Sequence, residues 1–257
     1  MTTAAPPAAS AAAPATIAAP SLLRLTRVEL RKMVDTRAGL WLLISVAALT
    51  VAFVVLIAAF GIDSDKTFVS LLSAAIVAPS FLMPVVGILL VTSEFTQRTA
   101  LVTFALVPRR ARVFVGKAIA ALLVALVAFL LCIPLAGAVA ALAGPDDGDA
   151  MTVGLLGQSG LSVLVSMAMG LAFGLAARAS APAIVAYFLI PIAWTLLGEI
   201  GPLQDAALWL DPSDSLSKMT TENLSALEWA RAATSIGLFL AVPLAIGAWR
   251  MRREELQ

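Results

Sequence analysis

The sequence has no histidine and one cysteine among 257 residues, and only 13% of its residues are charged. Without histidine there is no His-Glu-x-x-His zinc helix and no Ser-His dyad, which excludes metalloprotease and serine-hydrolase chemistry of those kinds. The single Cys132 has no partner for a disulfide or a Cys/His metal site. Inside an apolar run it reads as a small core residue. The sequence contains no Gly-x-x-x-x-Gly-Lys-Ser/Thr phosphate loop, so the chain does not bind ATP in the usual way. Charges are also missing from the middle of every long apolar run, Glu199 coming closest at the end of the fifth. A charge at mid-membrane costs about 2.5–3.5 kcal/mol and usually marks a proton or ion relay. Its absence weakens an ion-coupled carrier without closing that reading, since some carriers hold Na⁺ with backbone and hydroxyl oxygens. No catalytic constellation is visible, so the chain does not read as an enzyme, and nothing in it points to nucleic acid.

What the sequence has in quantity is apolar surface: 61% of its residues are hydrophobic, and its mean hydropathy is +0.98. Ordinary soluble domains run at about 45–50% apolar and 25% charged. Runs of about twenty apolar residues match a hydrocarbon core of roughly 30 Å at 1.5 Å per helical residue. Six such runs are present, about 40–60, 68–92, 113–142, 152–177, 182–200 and 230–249. They predict an all-α polytopic membrane protein with residues 21–257 as one domain. Residues 1–20 are mostly Ala, Pro, Thr and Ser with four prolines and no basic stretch, and read as a disordered tail rather than a signal peptide.

Lysine and arginine set the expected orientation. Arg24, Arg27, Arg31, Lys32 and Arg37 precede the first run, and Arg98, Arg109, Arg110, Arg112 and Lys117 lie between the second and third. Arg178, Arg250, Arg252 and Arg253 bring one side to fourteen of the seventeen basic residues, leaving Lys66, Lys218 and Arg231 on the other. The opposite loops carry acids, among them Asp63, Asp65, Asp146, Asp147, Asp149, Asp205, Asp211 and Asp214. Both termini are therefore expected in the cytoplasm. Ala- and Arg-rich usage points to a GC-rich bacterial source and so to a bacterial plasma membrane.

Before the first run, Arg24, Arg27, Arg31, Lys32 and Asp35 share one helical face, and Leu22, Leu23, Leu30, Met33 and Val34 the other. This pattern reads as an amphipathic helix in the membrane interface, with cations toward anionic lipid headgroups. The blander reading is a positive flank that only fixes orientation. Prolines within or beside the runs (Pro79, Pro84, Pro134, Pro182, Pro191 and Pro243) mark either ordinary kinks or broken helices. Gly170 and Gly174 form a small-xxx-small pair that serves packing within one subunit as well as dimerisation. Residues 201–229 mix leucines, Trp209 and Trp229 with acids, which predicts short helices at the outer interface. Asp146-Asp147-Gly148-Asp149 reads as a solvated acidic turn rather than a Ca²⁺ site.

The segment after the second run is the most motif-like. Glu94 is followed by Arg98-Thr99, a helix-compatible apolar stretch from Leu101 to Val107, then Pro108 with Arg109, Arg110 and Arg112. Pro108 stops a helix and permits a turn. Leu101, Phe104 and Leu106 on a short cytoplasmic helix invite burial against another protein, and Glu94 and Arg98 are one helical turn apart.

These positions, with Lys117 beyond them, resemble the permease subunits of ABC-type-2 export transporters, although Arg98 stands where many members have glycine. The six-run layout, the preceding amphipathic helix and the long last outer loop resemble that family too. The resemblance implies a dimeric pore, formed with a second permease copy, each subunit joined to a cytosolic P-loop ATPase that binds ATP and Mg²⁺. It implies that Thr99, Leu101, Phe104 and Leu106 form a coupling helix on that ATPase, with Glu94, Arg98, Pro108 and Arg110 shaping the loop. It also implies a pathway lined by the first, second and fifth runs, for which Phe53, Tyr187, Phe188 and Trp194 are candidates. An ion-coupled carrier and a non-transporting membrane scaffold are the competing expectations. Replacing both Leu101 and Phe104 by Asp is expected to abolish transport in a vesicle export assay, with membrane insertion intact by fractionation; normal transport would remove the coupling assignment.

Overall fold

The computed structural model describes residues 21–61, 66–96, 110–143 and 151–255. Among these, nine α-helices and one short 3₁₀ turn account for nearly all of the chain. Helix α1 spans Leu22–Asp35, α2 Arg37–Phe60, α3 Phe68–Thr96, α4 Arg110–Ala143 and α5 Val153–Ala177. Helix α6 spans Ser180–Gly198, α7 Gln204–Leu210, α8 Pro212–Thr221 and α9 Ala226–Glu255, with the 3₁₀ turn at Gly201–Leu203. Six of them (α2, α3, α4, α5, α6 and α9) are long and apolar enough to cross a membrane. They coincide with the six apolar runs. The largest difference lies at the end of α9, which continues through Arg250 to Glu255. Loss of hydropathy marks where a bilayer would end, whereas Glu and Arg continue a helix readily.

Helices α3 and α5 form the centre. Leu71, Leu72, Ile76, Met83 and Ile88 of α3 and Val163, Met167 and Met169 of α5 are almost completely buried. Their backbones approach closely because glycines lie at the crossing. A Cβ on Gly170 would run into the backbone of Pro84, and one on Gly174 would lie 3.1 Å from Ile88 Cα. From the other side, a Cβ on Gly87 would meet Met167 Sδ at 2.9 Å. The Gly170/Gly174 pair thus serves contact within one subunit, which decides between the two readings left open by the sequence. The outer helices expose aliphatic and aromatic side chains, such as Val55 and Phe60 on α2 and Leu130 and Leu131 on α4.

None of Pro79, Pro84, Pro134, Pro191 or Pro243 interrupts its helix. Pro182 falls in the first turn of α6, where a missing N–H leaves no bond unmade. Broken spans are therefore not what these prolines produce. Cys132 is buried, and its thiol approaches the carbonyls of Ala128 at 3.2 Å and Ala75 at 3.5 Å, packing α4 on α3.

The segment between α6 and α9 folds into the expected short helices. Asp211, in the loop acids on sequence grounds, is instead buried. It caps α8 by accepting from Ser213 N (2.8 Å), and its other oxygen accepts from the Thr195 hydroxyl of α6 (2.7 Å). Ser73 of α3 donates to the Thr220 carbonyl at 2.7 Å, and Ser215 of α8 meets Ser235 of α9 at 3.0 Å. These bonds hold α8 over the ends of α3, α6 and α9. Gly170→Leu is expected to destabilise the protein by about 3 kcal/mol through overpacking, read as a lower thermal unfolding midpoint in detergent. Gly157, with nothing within 4 Å of an added Cβ, is expected to accept Ala with a gain of up to about 1 kcal/mol.

Candidate functional site

A buried ion pair lies at the end of the bundle where α1 meets α3 and α4. Helix α1 is capped by Ser21, whose side chain accepts from Arg24 N at 3.3 Å. Thr36 ends α1 and starts α2: its N–H donates to the Lys32 carbonyl at 3.2 Å, and its side chain accepts from Gly39 N at 3.2 Å. The corner is tight enough to require glycine, since a Cβ on Gly39 would run into the Met33 carbonyl.

The face that α1 presents to the bundle differs from the one its apolar pattern picks out. Thr26, Glu29 and Met33 are buried, at helical spacings of three and four, and Leu25 lies against Gly116 of α4. Leu22, Leu23 and Val34 are exposed, and Arg24, Arg27 and Arg31 point away from the protein. Arg31 pairs with Asp35 at 3.2 Å in the open. The helix therefore has three sides: one in the bundle, one apolar and uncovered, one cationic.

Glu29 is the centre of this contact. Its Oε2 lies 2.6 Å from Lys117 Nζ, its Oε1 lies 2.7 Å from Lys32 Nζ, and Glu29 and Lys117 are only 4% and 2% exposed. Lys117 Nζ also lies 3.4 Å from the Leu90 carbonyl. One ammonium thus joins α4 to α1 and α3. Each charge alone would cost several kcal/mol to bury, so the two are stable there only as a pair. The sequence reading placed Lys117 near the loop but overlooked Glu29. The available signal was an acid set between Arg27 and Arg31 on a cationic helix, in register with Thr26 and Met33.

Further contacts knit the same end. The hydroxyls of Thr92 on α3 and Ser180 on α6 lie 2.7 Å apart. Arg178 caps α5 in a left-handed conformation at φ 57°, its N–H donating to the Gly174 carbonyl at 2.9 Å. Glycine usually fills such a cap; arginine here sets its guanidinium 5.2 Å from the centre of the Phe95 ring. Arg250 of α9 donates to the Ala176 carbonyl at 2.7 Å.

Phe95 sits in the last turn of α3, next to Glu94, and Arg110 opens α4. The side chains of Glu94 and Arg110 lie outside the described residues. So do Arg98, Thr99, Leu101, Phe104, Leu106 and Pro108, and the acidic turn at Asp146. The junction therefore brackets the segment that carries the family resemblance. Of the four candidate lining residues, Tyr187, Phe188 and Trp194 pack in one apolar cluster. Tyr187 and Phe188 share a cleft with Phe81, Trp194 lines a separate groove between α5, α6 and α9, and Phe53 is half-buried on α2 away from both. Among the described residues no group of three or more His, Cys, Asp or Glu could hold a metal ion.

Lys117→Met is expected to cost up to about 3 kcal/mol by leaving Glu29 with Lys32 alone, whereas Glu29→Leu with Lys117→Met should cost less than about 2 kcal/mol. Thermal unfolding of the detergent-solubilised variants reads both. No protein-family model and no curated protein matches this sequence.

Proposed function

We propose that the chain is the membrane-spanning permease subunit of an ATP-driven exporter of the ABC type-2 kind, working as a dimer with a cytosolic ATPase. The observation that carries the reading is the buried Glu29–Lys117 pair, which fastens α1 to the first turns of α4 and to α3 on either side of residues 97–109. A push on that loop would reach three helices at once. This is the mechanical arrangement a permease needs when its energy comes from a separate protein, and the lack of a phosphate loop in the chain requires that separation. The ATPase would bind ATP and Mg²⁺; a second permease copy would complete the pathway.

The uneven distribution of cations supports a cytoplasmic placement of the α1 end in a bacterial plasma membrane. In that placement α1 lies in the interface, with Leu23 and Val34 toward the acyl chains and Arg24, Arg27 and Arg31 toward headgroups. Lys32 bends inward to Glu29.

The test is co-purification. The chain is tagged at its C-terminus, extracted from native membranes in mild detergent, and its companions are identified and counted. A P-loop ATPase at about one copy per permease is the expected result. Its reproducible absence from folded protein would overturn the proposal in favour of an ion-coupled carrier or a scaffold.

A further inference from the structure

A cleft of about 440 Å³ lies between α3, α5 and α6, with α8 across one end. This size falls within the roughly 300–1,000 Å³ of small-molecule sites. No charged side chain lines it. Its α8 end is hydroxylated, by Ser73 of α3 and by Ser213, Ser217 and Thr220 of α8. Roughly 12 Å further along α3, at 1.5 Å per residue, Phe81 and Phe188 stack with ring centres 6.1 Å apart. Phe81 is 59% exposed, so this aromatic pair stands at the flank of the bundle. Ser80, Ser166 and Tyr187 lie between the two ends.

The hydrogen bonds specify what such a cleft can receive. Ser73 donates its proton to the Thr220 carbonyl at 2.7 Å, Thr220 to the Ser217 carbonyl at 2.8 Å, and Ser166 to the Ser162 carbonyl at 2.8 Å. A hydroxyl has one proton and two lone pairs; Ser166 also bonds the Tyr187 side chain, so Ser73 and Thr220, both at the α8 end, face the cleft as acceptors and favour a ligand that donates. The nearest acids are engaged elsewhere: Asp211 holds Thr195 and Ser213 N, and Asp214 holds Lys218 at 3.0 Å. An ionic head of either sign would find no counter-charge among the lining residues, whereas a neutral head loses nothing by that.

We propose that this cleft binds a neutral amphiphile with a hydroxyl-donating, polyol-type head. The head sits under α8, and the hydrocarbon chain leaves past Phe81 and Phe188. The site takes in two of the candidate pathway residues, but binding needs neither ATPase nor transport, so it stands or falls separately from the exporter reading.

The test uses the full chain alone in phosphatidylcholine vesicles, with three single-chain probes of equal length carrying a mid-chain diazirine. The probes are a monoacylglycerol, an alkyl-trimethylammonium and a fatty acid. After illumination, labelled peptides are mapped by mass spectrometry. The monoacylglycerol should label the Phe81 and Phe188 peptides at least about tenfold more than either ionic probe, about 1.4 kcal/mol of preference. Excess unlabelled monoacylglycerol should remove that label and leave labelling at Leu131, on the open flank of α4, unchanged. Ser80→Leu should fill the cleft and cut the label by a similar factor. Ser217→Ala with Thr220→Val should keep the label but lose the preference between heads. Equal labelling by all three heads, preference for the ammonium or the acid, or labelling no stronger than at Leu131 would each overturn the proposal. The competition on the unaltered protein decides even if a variant fails to fold.

Discussion

Among acyl chains, covering one leucine with another gains little, because the lipid is as apolar as the side chain. Cohesion then comes from close backbone approach and from hydrogen bonds between helices. The crossing of α3 and α5 follows this constraint, and the other long helices are arranged around it. Gly87, Gly170 and Gly174 remove the side chains that would hold the two backbones apart. The methionines beside them, Met83, Met167 and Met169, fill the remaining irregular space. Because the central pair is tight, the peripheral helices can expose most of their apolar surface and still be placed.

At the two ends the same principle operates through polar groups. The α8 end relies mainly on hydroxyls, bonded to carbonyls, to one another and to the Asp211 carboxylate. The α1 end relies on charge: Glu29, Lys32 and Lys117, with Arg178 over Phe95 and Arg250 on a carbonyl. Charged bonds are the stronger kind.

Much of this architecture could be read in advance. Six long apolar runs leave little choice of element, and the short helices at residues 201–221 followed from a polar and apolar mixture too long for a turn. The internal geometry was less legible. Hydrophobic pattern gave α1 an apolar face of Leu22, Leu23, Leu30, Met33 and Val34 for the membrane interface, but not the side through Thr26 and Glu29 that, with Met33, enters the bundle. Asp211 looked solvated because acids in loops usually are; only its cap on α8 and its bond to Thr195 explain its burial. The Gly170 pair announced a close contact without naming its partner. Aromatic character in the fifth run marked Tyr187, Phe188 and Trp194, which pack in one cluster, while Phe53 lies half-buried on α2.

Glu29 and Lys117 are 88 residues apart, which gives the junction an order in time. At synthesis rates of about 5–20 residues per second, Glu29 leaves the ribosome roughly 4–18 s before its partner. Until then α1 has no buried place to go, and Lys32, one turn away, is the cation at hand for the carboxylate. The contact of α1 with α4 can therefore form only once the third long helix has been made. The pair fixes the sequence of assembly as well as its end point.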